Sequence, residues 1–177
     1  MKRIATLTCT LLALGLCSTA VAQVPPVGVS DQLALLKSAD PKLAANKKLV
    51  FDMWRTIIQA AHVEEAEKMF TEGYIQHNPN VITGRKAMVE FMKSSRPRKD
   101  IEPEIHFPVI SLMAEGDLVM LATVSYLPDP EAPGKTYAGT HFDLFRIENG
   151  KIAEHWDSVA KDKAMTKFDP NQTAKPK

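Results

Sequence analysis

The chain has 177 residues, 45% of them hydrophobic, and a formal charge of +1. That length and apolar share suit one domain with a real core. So balanced a charge argues against nucleic acid or an anionic membrane surface as a partner.

Residues 1–22 read as a secretory signal peptide. Lys2-Arg3 precede an apolar run from Ile4 to Leu16, and Ala20-Val21-Ala22 fits the small-residue cleavage pattern. The run is short for a transmembrane span. Cleavage after Ala22 predicts a periplasmic or secreted protein beginning at Gln23. Both cysteines, Cys9 and Cys17, fall inside this leader. The remainder offers no disulfide, thiol nucleophile or thiolate metal site.

Residues 23–40 form an N-terminal arm, opened by Pro25-Pro26 and Gly28. Ser30-Asp31 can cap a short helix that ends before Asp40-Pro41. Pro41 suits the first turn of a longer helix to about Ala61. Its Leu43, Leu49, Val50, Met53, Trp54, Ile57 and Ile58 follow the helical period. A further short helix spans His62 to Phe70, stopped by Gly73. Tyr74 to Asn80 reads as a polar loop. A third helix runs from Arg85 to about Lys93. The cations Lys93, Arg96, Arg98 and Lys99 read as a solvated connection.

After Asp100 the texture turns to strand. One strand region spans Glu102 to Met113, interrupted by Pro103 and Pro108. Leu118 to Leu127 is the most apolar strand. Thr136–Ile147 and Lys151 to about Val159 make a final hairpin. Residues 161–177 read as a flexible tail. Helices followed by an antiparallel meander define an α+β domain over about 41–160. The curved sheet must wrap around the N-terminal helices, which leaves a conical cavity between them.

The final hairpin carries the chemistry. His141 and Asp143 stand on one strand, His155 and Asp157 on the next. A three-residue loop Glu148-Asn149-Gly150 pairs Ile147 with Lys151 and Asp143 with His155. All four polar residues then share a face with Phe145 and Ala153. A two-residue Asn149-Gly150 loop would split them between faces. The first register is preferred because it gathers Phe142, Leu144, Ile152 and Trp156 on the other face. That apolar set predicts a homodimer through the sheet. The same two imidazoles and two carboxylates admit a rival reading as a metal facial triad.

The segment Tyr-Ile-Gln-His-Asn-Pro-Asn-Val-Ile-Thr-Gly (74–84), with Phe-Asp-Leu-Phe-Arg-Ile-Glu-Asn-Gly-Lys-Ile-Ala-Glu-His-Trp-Asp (142–157), resembles the SnoaL-like, polyketide cyclase-like branch of the NTF2-like superfamily. The likeness covers about residues 43–160. It implies an α+β cone. It also implies an acid/base role for Asp157, with His155 two residues before it and His141 where the cyclases carry a Gln.

The chemistry expected is cofactor-free and aldol-type, of a lyase or isomerase, next to a carbonyl of a small apolar substrate. No metal is assigned. The alternative is a non-catalytic module that binds a small ligand. The candidate catalytic residues are Asp157, His141, Asp143 and His155. His77, Tyr74, Asn78, Trp54, Tyr126 and Phe145 are candidates for substrate binding. No flavin, nicotinamide or phosphate-binding signature is present.

Overall fold

The computed structural model describes residues 24–161. The expected signal peptide lies outside the described residues, as does the tail beyond Lys161. Among the described residues no helix is long and apolar enough to cross a membrane.

The N-terminal arm is anchored rather than loose. Val29 donates its N–H to the Val109 carbonyl at 2.7 Å, and the Gln32 amide exchanges two hydrogen bonds with the Ile105 backbone. The short helix after it is a single 3-10 turn, Leu33–Leu36. Helix α1, Pro41–Met53, starts where the sequence says it should. Asp40 caps it by accepting from the Lys42 and Leu43 N–H groups, and Pro41 needs no partner there. The helix then widens into a π-helical turn, Trp54–Gln59, closed by Ala60 N–H to the Arg55 carbonyl.

The next segment departs from expectation. Only Val63–Glu65 and helix α2, Ala66–Met69, are helical. Phe70–Gln76 is strand β1, not helix end and loop. Local pattern could not reveal it, because its partner is β5, which it pairs in parallel with Gln76 beside His155. Helix α3, Arg85–Ser95, follows. Strand β2, Val109–Glu115, starts only after the prolines, so 102–108 is irregular. Strands β3, Leu118–Pro128, β4, Thr136–Glu148, and β5, Lys151–Asp157, complete the sheet. The order is β1-β5-β4-β3-β2, and all pairs except β1 with β5 are antiparallel. Val50, Phe51, Met53 and Ile57 of the helical layer, with Met88 and Met92 of α3, pack with Leu121, Phe145 and Ile152 of the sheet into one core. The result is the α+β cone with a curved sheet around the helices.

The hairpin register matches neither expected form. Asn149 and Gly150 both have positive φ, 51° and 73°, so the turn is the two-residue type I′. Glu148 accordingly pairs with Lys151 and Ile147 with Ile152. The register then shifts by one residue, and Arg146 pairs with Glu154, Phe145 with His155, Asp143 with Asp157. Ala153 is the extra residue, a β-bulge. Without it, His155 and Asp157 would face outward, as the two-residue loop alone requires. With it, Ile152 is buried in the core and His155 also points inward.

Burying an Ile side chain is worth about 1.5–3 kcal/mol. The bulge keeps that gain together with the His155–Asp143 contact inside and the 2.6 Å Arg146–Glu154 pair outside. The shared face of the four polar residues is therefore present, by a different route. The placement of Ile152 on the outer face is corrected.

Candidate active site

The cone encloses a cavity of about 380 Å³, within the usual range for small-molecule sites. Four strands put polar groups on its wall, β3 through Thr123 and Ser125. His141, Asp143 and Phe145 alternate along β4, with His155 and Asp157 along β5. Tyr74, Gln76 and Asn78 alternate along β1 and just past its end. The helical side supplies Met53, Trp54, Ile58, Met88 and Phe91.

Asp143 is the hub. It is 2% exposed, and its Oδ1 lies 2.9 Å from His155 Nε2 and 3.5 Å from His141 Nε2. Burial works to raise its pKa, but the hydrogen bonds and charges of the two imidazoles outweigh this and hold it below the usual value. In return, the hydrogen bond to Asp143 raises the pKa of His141. Burial opposes this, and the charges of Asp143 and Asp157 reinforce it. The imidazolium form of His141 is thus favoured more than in a free imidazole.

His155 is held on both sides. Its Nδ1 lies 3.0 Å from Gln76 Oε1, which also accepts the Asn78 backbone N–H, and its ring stacks on Phe145 at 4.6 Å. Both nitrogens are engaged, which leaves no ring atom free for a ligand. Asp157 is oriented by Asn78, whose Nδ2 donates to its Oδ2 at 2.7 Å. The Tyr74 hydroxyl accepts from Gln76 Nε2 at 3.2 Å. Burial pushes its pKa far above the ordinary phenol value, and the charges of Asp157 and Asp143 add to that. Tyr74 therefore stays a neutral phenol and is not a base.

Among the described residues, three buried polar atoms of the cavity lining have no hydrogen-bond partner: Asp143 Oδ2, Asp157 Oδ1 and Trp54 Nε1. Such atoms are costly unless something satisfies them. His141, Asp143 and Asp157 each offer a ligand atom within 4.8 Å of the others, so these three could hold a metal ion. His155, part of the metal reading from sequence, is tied up elsewhere.

Of the ten candidate residues, the structure gathers eight on the cavity wall: His141, Asp143, His155, Asp157, Tyr74, Asn78, Trp54 and Phe145. It does not bring in His77 or Tyr126. His77 falls between Gln76 and Asn78, so period-2 alternation turns it outward. There it stacks on Trp156 at 4.6 Å and lies 3.0 Å from Glu154, whose pKa is lowered by His77 and then by Arg146. Tyr126 lies past the last lining residue of β3, Ser125, and is 62% exposed. The polar lining residues outside the ten candidates are Gln76, Arg96, Thr123 and Ser125 among the described residues. Gln76 was legible in the spacing Tyr74-x-Gln76-x-Asn78, had the segment been read as a strand. Arg96 had no signal beyond its place in a basic run.

A family model described as SnoaL-like polyketide cyclase matches residues 48–166. The chain belongs to this family. Solved structures are similar to the chain at low identity. A polyketide cyclase described as putative, from Acidithiobacillus ferrooxidans, is 17% identical, with a TM-score of 0.48 over 78% of this chain and 100% of that one. A SnoaL-like cyclase from Jannaschia, also described as putative, is 16% identical, with a TM-score of 0.45 over 79% and 99%. An epoxide hydrolase of the LEH-like type from M. tuberculosis is 13% identical, with a TM-score of 0.48 over 66% and 84%. No curated protein matches the chain. Membership in this SnoaL-like family fits cyclase- or isomerase-type chemistry, or ligand binding, on a small molecule.

Proposed function

We propose that this SnoaL-like protein is an exported, cofactor-free enzyme of lyase or isomerase type, acting on an activated C–H next to a carbonyl of a small apolar substrate. The observation that carries the reading is the trio His141, Asp143 and Asp157. Two carboxylates and an imidazole have atoms within 4.8 Å of one another on the wall of an apolar cavity.

Asp157 takes the proton from carbon. Its Oδ1 has no other partner, and Asn78 fixes the carboxylate's angle through Oδ2. The electron pair moves onto the carbonyl oxygen, and the His141 imidazolium donates to the enolate that forms. Asp143 keeps His141 charged and in place. His155 and Gln76 hold Asp143 and Asn78 in turn. The enolate then attacks a second carbonyl, takes a proton at another carbon, or expels a β-hydroxyl. All three outcomes use the same two groups. His77, on the outer face, has no part in this scheme.

The test is α-proton exchange in D₂O, followed by NMR over a panel of aryl and alkyl ketones. Asp157→Asn keeps the shape and removes the base. Exchange should fall by at least about 10²-fold while the fold survives. Unchanged exchange would refute the assignment. Loss on chelation, restored by a divalent cation, would favour a metal at the same trio. Tight binding of ketones without exchange would favour a ligand-binding module.

The outer sheet face supports a homodimer. Phe142 and Met113 are 46% and 50% exposed there, with Leu144 and Trp156 half-buried between strands. Export rests on the residue 1–22 pattern alone.

A further inference from the structure

Among the described residues the cavity lining carries two carboxylates and one cation, and that combination selects a ligand. The carboxylates are those of Asp143 and Asp157 on the sheet. An anionic group placed there would meet like charge in a poorly solvated site. Among the described residues, Arg96 is the only Lys or Arg lining the cavity. Its Nη1 donates to the Ile58 carbonyl, and among the described residues no carboxylate pairs with it. Its neighbours in sequence and space differ. Arg98 is bound to Glu64 at 2.6 Å, and Arg55 to Asp52 at 2.7 Å. A guanidinium has five N–H donors, so most of Arg96 remains available.

Trp54 also lines the cavity. It precedes Ile58 by one turn, and the Ile58 carbonyl is the one Arg96 holds. Its Nε1–H is buried and has no partner. Both Trp54 and Ile58 belong to the π-helical turn, a local geometry that recurs at functional sites. A buried donor and an uncommitted, solvent-exposed cation on the lining of one apolar cavity suit an acceptor that bears negative charge. The same lining carries the apolar side chains Met53, Met88, Phe91 and Phe107.

We propose that the cavity takes an amphipathic carbonyl compound carrying a carboxylate-class anionic group. The anion is held by Arg96 and Trp54, and the reacting carbonyl is directed to His141 and Asp157. The placement of the reacting end rests on the acid/base reading above; the anion subsite does not. Arg96 and Trp54 are specificity-determining residues that fix which end of the substrate enters first.

The test reads binding alone. Fluorescence titration of the protein with 8-anilinonaphthalene-1-sulfonate, an aromatic anion, is compared with N-phenyl-1-naphthylamine, its neutral counterpart, at constant ionic strength. The wild type should prefer the anion. Arg96→Met should weaken the anion by about tenfold or more, the range of a lost charge-assisted hydrogen bond, and leave the neutral probe within about twofold. Trp54→Phe should weaken the anion in the same direction. Arg98→Met should change neither probe.

No preference in the wild type, equal loss of both probes in Arg96→Met, or the same effect from Arg98→Met would overturn the proposal. Asp157→Asn should retain the preference even where it abolishes proton exchange. A failed subsite and a failed base are therefore read separately.

Discussion

Replacing Asp143 with Asn changes one charge at the hub of the site and almost nothing in shape. A charge-assisted hydrogen bond contributes about 1.5–3 kcal/mol and a neutral one about 0.5–1.5. At position 143 an amide oxygen can still accept the 2.9 Å bond from His155, so that bond drops from the first class to the second, at about 1 kcal/mol. The 3.5 Å contact with His141 is longer and adds less. The total is about 1–2 kcal/mol, or a Tm lower by about 2–8 °C in a domain of this size. Asp143→Ala would cost more, about 3–5 kcal/mol, because it leaves the His155 N–H buried and unpaired.

The sharper readout is His141. The hydrogen bond to Asp143 is the largest cause of its raised pKa, and burial, which lowers it, would remain. His141 should therefore titrate at lower pH in Asp143→Asn, followed by imidazole NMR. The alkaline limb of activity should move down with it. The sign also follows for stability. The raised pKa of His141 stabilises the fold fully below its unfolded value near 6.5, and that contribution is lost as pH rises through the folded value. The lowered pKa of Asp143 stabilises above its unfolded value near 3.8 and is lost as pH falls through the folded one. Wild-type stability from this pair should peak between those two limits, and the variant should lose that maximum. A His141 titration that stays in place or moves upward would refute the reasoning.

Ile152→Ala should cost about 2–5 kcal/mol in urea unfolding, because Ile152 is fully buried beneath the bulge; a cost under about 0.5 would return it to the outer face. Phe142→Glu, on the outer sheet face, should turn a dimer into a monomer in sedimentation at tens of micromolar, roughly the range for a specific interface. A wild type already monomeric there would end the dimer reading. Protein recovered from the periplasm or medium should begin at Gln23 on N-terminal sequencing. An intact Met1 would contradict export with cleavage.

The sequence by itself determined a good deal. Pro41 marked the start of α1, because its fixed φ suits a first helical turn. Asn149-Gly150 marked the hairpin. Alternation along β4 and β5 marked His141, Asp143, His155 and Asp157 as a set. These are local properties, written in adjacent residues.

Tertiary structure decided what depends on distant partners. β1 exists because β5 lies beside it, more than seventy residues away, and so Gln76 and Asn78 reach the cavity while His77 turns to Trp156. The bulge at Ala153 is fixed by competition across the sheet. Ile152 and His155 both gain from facing inward, and only an extra residue between them permits it. Arg96 came to the cavity wall in the same way. Its basic neighbours look alike in sequence, and only packing of the α3 end against the π-turn separates the one bound to Ile58 from the one bound to Glu64.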